Sequence, residues 1–272
     1  DSILDQVDTD TIRHAHLKVV LDPMFGVSQT CLQTILMTAR CDVEVINNRH
    51  DTLFGGRLPS PNMDTLHELR QTVRETGADL GIGTDGDADR LQVVDSAGRL
   101  YNGDELLYVL VKDRMATDGK VEGAVGTLMT NMAVEVALQE SGVKFVRAAV
   151  GDRYVLESMN ANGFVLGGEQ SGHVIMSEFA TTGDGVLTGL HLAARMARTG
   201  KSMAELASVM TRLPQVLINV KNVDKLRAGI DTEINAAVAK ANHDLGSTGR
   251  VVLRPSGTEP VVRVMVEAQT SD

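Results

Sequence analysis

The stretch Leu80-Gly81-Ile82-Gly83-Thr84-Asp85-Gly86-Asp87-Ala88-Asp89-Arg90-Leu91-Gln92-Val93-Val94 decides how this chain is interpreted. Two short apolar runs enclose three alternating aspartates, and Arg90 follows them directly. Carboxylates crowded between two strands repel one another, and a stable core does not require them. Because oxygen ligands on a short loop suit a hard divalent ion, Asp85, Asp87 and Asp89 are predicted to be the ligands of Mg²⁺.

Two other interpretations of this loop are open. A calcium-binding EF-hand would need helices on both sides and a Glu at loop position twelve, where this chain has Ser96 between predicted strands. A solvated turn without any ligand is the second alternative. Arg90 is either an exposed side chain or a cation directed at a phosphoryl group beside the metal, and its position favours the second role.

Length and composition exclude several classes of protein. The chain has 272 residues, a hydrophobic fraction of 43% and a net charge of −10. It has no apolar run near the ~18 residues of a membrane span, so no membrane partner is expected. The acidic balance argues against a nucleic-acid partner, which requires a basic surface. Cys31 and Cys41 have no metal-ligand spacing, which favours reduced thiols and a cytoplasmic location.

Strand and helix patterns alternate along the chain. Residues 17–21 and 43–46 are predicted strands, and residues 28–40 and 63–76 are predicted helices. This order predicts the α/β class, with consecutive α/β domains that have mixed, mostly parallel sheets, and a smaller C-terminal α+β domain. We expect a metal-binding unit at 1–113, a sugar-binding unit at 114–213 and a phosphate-binding unit, truncated, at 214–272. In the last unit a helix is predicted over residues 223–242.

A second polar motif is Gly167-Gly168-Glu169-Gln170-Ser171-Gly172-His173. Its glycines let the backbone approach a ligand closely, and carboxylate and hydroxyl groups at this density suit the hydroxyls of a sugar. A polar turn with a capping serine is the structural alternative, and His173 is open to a purely structural hydrogen bond.

A third motif is Arg254-Pro255-Ser256-Gly257-Thr258-Glu259-Pro260, whose guanidinium and hydroxyls are typical of an anion cradle. The alternative is a Pro-Gly turn between two strands. A weaker signal comes from the segment Gly151-Asp152-Arg153-Tyr154. Asp152 is expected to cap the helix that follows, and the alternative is a functional segment in which Arg153 points into the cleft.

Together the three motifs resemble the α-D-phosphohexomutase superfamily, whose members move a phosphoryl group between the C1 and C6 oxygens of a hexose. Within it, Gln170 and the segments 151–155, 213–217 and 263–267 are similar to the bacterial phosphoglucosamine mutases. The glucose and mannose phosphomutases are matched at least as well by the segments 48–51 and 54–57. Ala88 also differs from the phosphoglucosamine mutases, which usually carry Gly at this position.

The resemblance implies roles for the motif residues. The three aspartates would hold Mg²⁺, with Arg90 near the reacting phosphoryl group and Arg153 or His173 as candidates for the general base. Substrate-binding roles fall to Glu169 and Ser171 for the sugar, with His173 in support, and to Arg254, Ser256, Gly257 and Thr258 for the distal phosphate. The implied reaction converts hexose 6-phosphate into hexose 1-phosphate through a bisphosphorylated intermediate, with glucosamine 6-phosphate as the expected substrate.

One feature of the family has no counterpart here, because its catalytic phosphoserine lies in an N-terminal domain and no such serine loop occurs in this sequence. We therefore expect a chain that corresponds to domains two, three and four, with little turnover alone. The alternative functions are a phosphoglucomutase or phosphomannomutase, a non-catalytic sugar-phosphate-binding module, and an aspartyl-phosphate phosphatase. A homodimer is the assembly considered, and the sequence does not decide it.

Overall fold

The computed structural model describes residues 3–208, 210–256 and 260–270. Its first unit is a five-stranded sheet in the order β2-β1-β3-β4-β5. The strands are β1 Lys18–Asp22, β2 Asp42–Val45, β3 Leu80–Thr84, β4 Leu91–Asp95 and β5 Leu100–Tyr101, and the helices are α1 Thr9–Ala15, α2 Cys31–Thr38 and α3 His67–Thr76. Short 3₁₀ helices occupy Leu4–Gln6, Val27–Gln29 and Phe54–Gly56.

Strand direction in this sheet places the aspartate loop. β1 pairs in parallel with β2 and with β3, whereas β3 and β4 form an antiparallel hairpin. Both strands of the hairpin are buried along their whole length. The helix predicted from residue 63 begins at His67 instead, because the Asn62 side chain accepts from the amides of Asp64 and Thr65 and holds a turn there.

The second unit has a four-stranded sheet in the order β7-β6-β8-β9. Its strands are β6 Gly123–Thr127, β7 Lys144–Ala148, β8 Leu166–Gly168 and β9 Val174–Met176, and its helices are α4 Gly103–Asp118, α5 Met132–Glu140, α6 Asp152–Asn162, α7 Gly185–Thr199 and α8 Met203–Ala207. β6 is parallel to both neighbours, and β8 and β9 are antiparallel. The prediction of mixed, mostly parallel sheets is confirmed.

Helix α4 joins the first two units and was not anticipated by periodicity. Its residues from Gly103 to Val111 are all buried, including Asp104 and Glu105, so polar and apolar side chains do not separate onto two faces and give no amphipathic signal. The predicted boundary between residues 113 and 114 falls within this helix, which a domain boundary would interrupt. One contiguous apolar cluster contains residues of β1, α4, β6 and α7, so the first two units share a core. The division into three units otherwise stays a prediction.

The third unit is an antiparallel sheet in the order β10-β12-β11. It comprises β10 Gln215–Lys221, α9 Arg227–Ile230, α10 Thr232–Leu245, β11 Gly249–Pro255 and β12 Val261–Ala268. The helix predicted over 223–242 is interrupted because Asp231 leaves the helical conformation and caps α10, accepting from the amides of Glu233 and Ile234. Among the helices of the described residues, none combines the length and apolar character of a membrane span.

Candidate functional site

The metal hairpin, defined as β3, β4 and residues 85–90 between them, gathers the three aspartates. One carboxylate oxygen from each of Asp85, Asp87 and Asp89 lies within 4.8 Å of the other two. The turn is tight: Ala88 adopts φ +65°, and the Asp85 Oδ1 atom accepts from the Arg90 amide at 3.0 Å. The aspartate spacing in the sequence thus becomes a convergent set of carboxylate oxygens.

The three carboxylates are electrostatically unfavourable beside one another. Burial, together with the charges of Asp89 and Asp87, raises the pKa of Asp85 to about 7. Oδ1 of Asp89 is buried and accepts no hydrogen bond from the described residues. A divalent cation bound between the carboxylates would satisfy that atom and offset the repulsion, so the residues present fit a metal ion.

Arg90 links the metal hairpin to an adjacent cavity. Its Nε atom lies 3.7 Å from a carboxylate oxygen of Asp85 and 3.7 Å from one of Asp89. The side chain is 42% exposed and lines the cavity, so its charge is divided between the aspartates and the open space. It is therefore placed to attract an anion toward the metal hairpin.

The sugar loop, residues 167–173, forms the turn between β8 and β9 and contributes Glu169 and Ser171 to the same cavity. Glu169 accepts from the Gly151 amide at 2.8 Å, which orients its carboxylate. The Ser171 hydroxyl is buried without a hydrogen-bond partner in the described part of the chain. A buried hydroxyl of this kind is a natural contact for a polar ligand.

The phosphate cradle is built from Arg254 and Ser256 on or next to β11 and Arg263 on β12. Arg254 and Arg263 are direct cross-strand partners, and both line the cavity. Burial lowers the pKa of Arg254, and the charge of Arg263 lowers it further. Like charges opposite each other destabilise a sheet unless an anion lies between them. Gly257 and Thr258, which the sequence assigns to the same site, lie outside the described residues.

A cavity of about 660 Å³ is lined by Arg90 of the metal hairpin, by Glu169 and Ser171 of the sugar loop, and by Arg254 and Arg263 of the phosphate cradle. The predicted site residues Asp85, Asp87, Asp89 and Ser256 do not line it. Among the described residues that line it, Glu169 is the one carboxylate, against four arginines: Arg90, Arg212, Arg254 and Arg263. Arg212 and Arg263 are cavity residues that the sequence motifs do not predict. Arg263 could have been found from the sequence, because two strands separated by five residues form a hairpin in which Arg263 lies opposite Arg254. No local sequence pattern indicates Arg212. The cavity is suited to a ligand that carries anionic groups and hydroxyls.

Two candidate catalytic residues do not reach this cavity. Arg153 is on the outer side of α6, 81% exposed, and pairs with Glu157 one turn later at 2.7 Å. Asp152 does not cap α6, because the cap residue is Gly151. His173 is 2% exposed, and its Nε2 atom accepts from the Gly183 amide at 3.2 Å, beside Asp89 at 3.6 Å. Its position supports the metal hairpin rather than contact with a ligand.

Three models of one protein family match nearly the whole chain. The models of phosphoglucomutase/phosphomannomutase alpha/beta/alpha domain II, alpha/beta/alpha domain III and C-terminal domain match residues 1–98, 102–213 and 217–272, respectively. The chain belongs to the phosphoglucomutase/phosphomannomutase family. Within this family, the metal hairpin lies in domain II, the sugar loop in domain III and the phosphate cradle in the C-terminal domain.

Curated relatives include phosphoglucosamine mutases from two bacteria. The Cutibacterium acnes protein is 54% identical over 261 residues, which are 94% of this chain and 57% of that protein. The Paraburkholderia xenovorans protein is 63% identical over 202 residues, covering 74% and 44% of the two. The chain therefore spans about half the length of the curated relatives it matches.

Solved structures show the same fold. A phosphoglucomutase/phosphomannomutase family protein from Burkholderia thailandensis superposes with a TM-score of 0.80 at 20% identity, over 99% of this chain and 61% of that one. Aspergillus fumigatus N-acetylphosphoglucosamine mutase, solved with GlcNAc-6P and magnesium, gives 0.75 at 18% identity, over 98% and 67%. At these identities the agreement is in the fold.

Proposed function

We propose that this chain forms the metal-binding, sugar-binding and phosphate-binding parts of a phosphohexomutase that converts glucosamine 6-phosphate into glucosamine 1-phosphate. The observation that carries the proposal is the cavity, where Arg90 of the metal hairpin, Glu169 of the sugar loop and Arg254 of the phosphate cradle face one space. The identity to phosphoglucosamine mutases supports this choice of hexose.

In the proposed site the chain binds and orients the substrate. Arg254 and Arg263 hold the phosphate that does not react. Because these two positive charges face each other across the strands, an anion bound between them is stabilising. Glu169 and Ser171 accept from and donate to sugar hydroxyls. Arg90 neutralises charge on the reacting phosphoryl group, the contribution on which phosphoryl transfer depends most. Either end of the sugar can occupy the cradle, which a mutase requires.

The ion proposed for Asp85, Asp87 and Asp89 is Mg²⁺, because three carboxylates without nitrogen or sulfur ligands suit a hard cation. When bound, it would supply positive charge beside the transferred phosphoryl oxygens. The resemblance assigns the phosphoryl donor to a serine of the family's N-terminal domain. Neither Arg153 nor His173 is proposed as the general base, because Arg153 pairs with Glu157 on the exposed side of α6 and the Nε2 atom of His173 accepts from the Gly183 amide.

Other parts of the proposal concern partners and surroundings. Hexose phosphates are the proposed ligands, and a homodimer is the proposed assembly. A cytoplasmic location is supported by Cys31 and Cys41, both free, with burial raising the pKa of the Cys41 thiol to about 11.

The second candidate function is a phosphoglucomutase or phosphomannomutase with the same site, because the family that the chain matches includes both enzymes. A non-catalytic sugar-phosphate-binding module is the third.

Calorimetry with glucosamine 6-phosphate, glucose 6-phosphate and mannose 6-phosphate tests the binding part of the proposal. In the presence of Mg²⁺ we expect glucosamine 6-phosphate to bind this chain most tightly. Preference for another hexose would support the second candidate, and absence of binding by all three would refute a hexose phosphate site.

Turnover is tested separately by ³¹P NMR, after the N-terminal domain of the Cutibacterium acnes phosphoglucosamine mutase is added to the chain. We expect glucosamine 1-phosphate to form, and Asp87→Asn to abolish both its formation and Mg²⁺ binding. Asp64→Asn, an exposed acid before α3, is the matched control and should leave both unchanged. Binding without turnover would leave the non-catalytic module as the better account.

A further inference from the structure

A chain of hydrogen bonds leads from the sugar loop into the C-terminal sheet. Both amide hydrogens of Gln170 are used in it: Nε2 donates to Oδ2 of Asp104 at 3.2 Å and to Oε1 of Gln215 at 2.8 Å. Asp104 is buried at the start of α4 and also accepts from the Asn131 amide at 2.9 Å. Gln170 therefore connects the core of the second unit with β10 of the third.

The series of hydrogen bonds continues from Gln215 across the sheet. Gln215 donates to the Glu267 carboxylate at 3.0 Å and to the Met129 carbonyl at 3.2 Å. The other oxygen of Glu267 accepts from Arg250 at 2.8 Å and from the Met132 amide at 2.9 Å. We call Asp104, Gln170, Gln215, Glu267 and Arg250 the relay.

The relay and the phosphate cradle occupy the same face of one hairpin. Arg250 is opposite Glu267 and Arg254 is opposite Arg263, so each strand carries both sites four residues apart. Side chains four apart on a strand point to the same side, at a separation of about 13 Å. Because Glu267 is 1% exposed and held by three donors, this hairpin has a fixed position on the second unit.

We propose that Gln170 is a positioning residue that fixes the phosphate cradle at the correct distance from Glu169 and Ser171 by holding Gln215. The inference rests on the proposed function, since it assigns the distance between the two ends of a sugar phosphate site. Glu169 and Gln170 both line the cavity, but both hydrogens of the Gln170 amide are donated to protein groups, one of them to Gln215 of the C-terminal sheet. A ligand that touches both ends depends on the relay, and one that touches only the cradle does not.

Methionine substitutions test this, because they keep the unbranched shape of glutamine and remove its hydrogen bonds. Gln170→Met, Gln215→Met and the double variant are compared by calorimetry with glucose 1,6-bisphosphate and with inorganic phosphate. We expect each single variant to weaken bisphosphate binding roughly 5–20-fold and the double variant to be no weaker than the worse single one. Affinity for inorganic phosphate should change less than about twofold.

Gln71→Met is the matched control, because Gln71 is exposed on α3 and bonds only Glu75 in the described contacts. It should leave both affinities unchanged. If the two relay variants have additive effects on bisphosphate binding, or if phosphate binding falls equally, the positioning role is wrong.

Amide hydrogen exchange tests the relay without any ligand. The Met132 amide donates to Glu267, so its exchange reports whether the C-terminal sheet stays in place. We expect it to become about tenfold faster in Gln170→Met, while the Ile82 amide in the first sheet is unchanged. Unchanged Met132 exchange would refute the relay. Failure of the unmodified chain to bind the bisphosphate would instead refute the proposed function, and the exchange result would still decide the relay.

Discussion

The two junctions around the cavity are built differently. The metal hairpin meets the second unit through backbone: the Leu91 amide donates to the Gly172 carbonyl at 3.1 Å, and the Gly185 amide donates to the Ala88 carbonyl at 2.8 Å. The C-terminal sheet meets the same unit through the side chains of the relay. Backbone contacts leave no room for adjustment, whereas side-chain contacts can be titrated or removed singly.

The two parts of the site also differ in burial: the metal hairpin is more deeply buried than the C-terminal sheet. Both strands of the metal hairpin are buried throughout, and the first two units share a contiguous core. In the C-terminal sheet Val216, Leu217 and Ile218 of β10 are each about half exposed. The metal hairpin and sugar loop thus form one rigid part of the site, and the phosphate cradle is attached to it by polar contacts.

The largest effect is expected from Gly172→Ala at the backbone junction. Gly172 has φ +102°, and a Cβ there would lie 2.1 Å from the Leu91 carbonyl oxygen. Strain and overpacking should together lower the free energy of unfolding by about 4 kcal/mol, measured in urea by circular dichroism. Gly163→Ala is the control: it has φ +68° with no atom within 4 Å, so about 1 kcal/mol is expected. Equal losses would mean that the close approach is not rigid.

The next effect concerns pH at the polar junction. Burial raises the pKa of Asp104 to about 6 from its ordinary 3.8, so the folded chain binds this proton more tightly than the unfolded chain. Stability from Asp104 is therefore complete below about pH 4 and is lost as pH rises through about 6. Between these limits unfolding free energy should fall by about 3 kcal/mol more in the unmodified chain than in Asp104→Asn. Parallel pH profiles in urea titrations would contradict this.

A smaller effect is expected from Glu267→Gln, which keeps the shape of the side chain but removes its charge. The new side-chain NH₂ group would face one of the three donors from which the carboxylate now accepts, so one hydrogen bond would be lost and Arg250 would lose its anionic partner. We expect a loss of about 2 kcal/mol in unfolding free energy, measured in urea. Glu122→Gln, an exposed partner of Lys120 at 3.7 Å, should change it by less than about 0.5 kcal/mol. Similar losses for both would show that the relay carries no stability.

The smallest effect is a gain. Ala88 has φ +65° in the metal hairpin, a conformation in which glycine carries no steric penalty. Ala88→Gly should raise the free energy of unfolding by about 0.5–1 kcal/mol, measured in urea. Ala116→Gly in helix α4 should lower it by about 1 kcal/mol, since glycine is unfavourable within helices. A loss for both substitutions would show that Ala88 is not strained.

Local sequence was sufficient for several parts of this protein. The alternation of strands and helices predicted the α/β class, and the three motifs predicted which loops would form the site. Asp85, Asp87 and Asp89 converge because alternate residues of a tight hairpin loop have no room to diverge. These are short-range properties, set within a few residues.

Only the tertiary structure decided which side chains face the cavity. Arg212 and Arg263 reach it through the packing of separate units, whereas Arg153 and His173 do not line it. α4 was not predicted because its N-terminal half is buried on every side, polar residues included, so no polar face stands apart from an apolar one. The direction of Gln170 depends on Gln215, 45 residues later. A contact between distant residues is fixed by how units pack, and no local pattern encodes that.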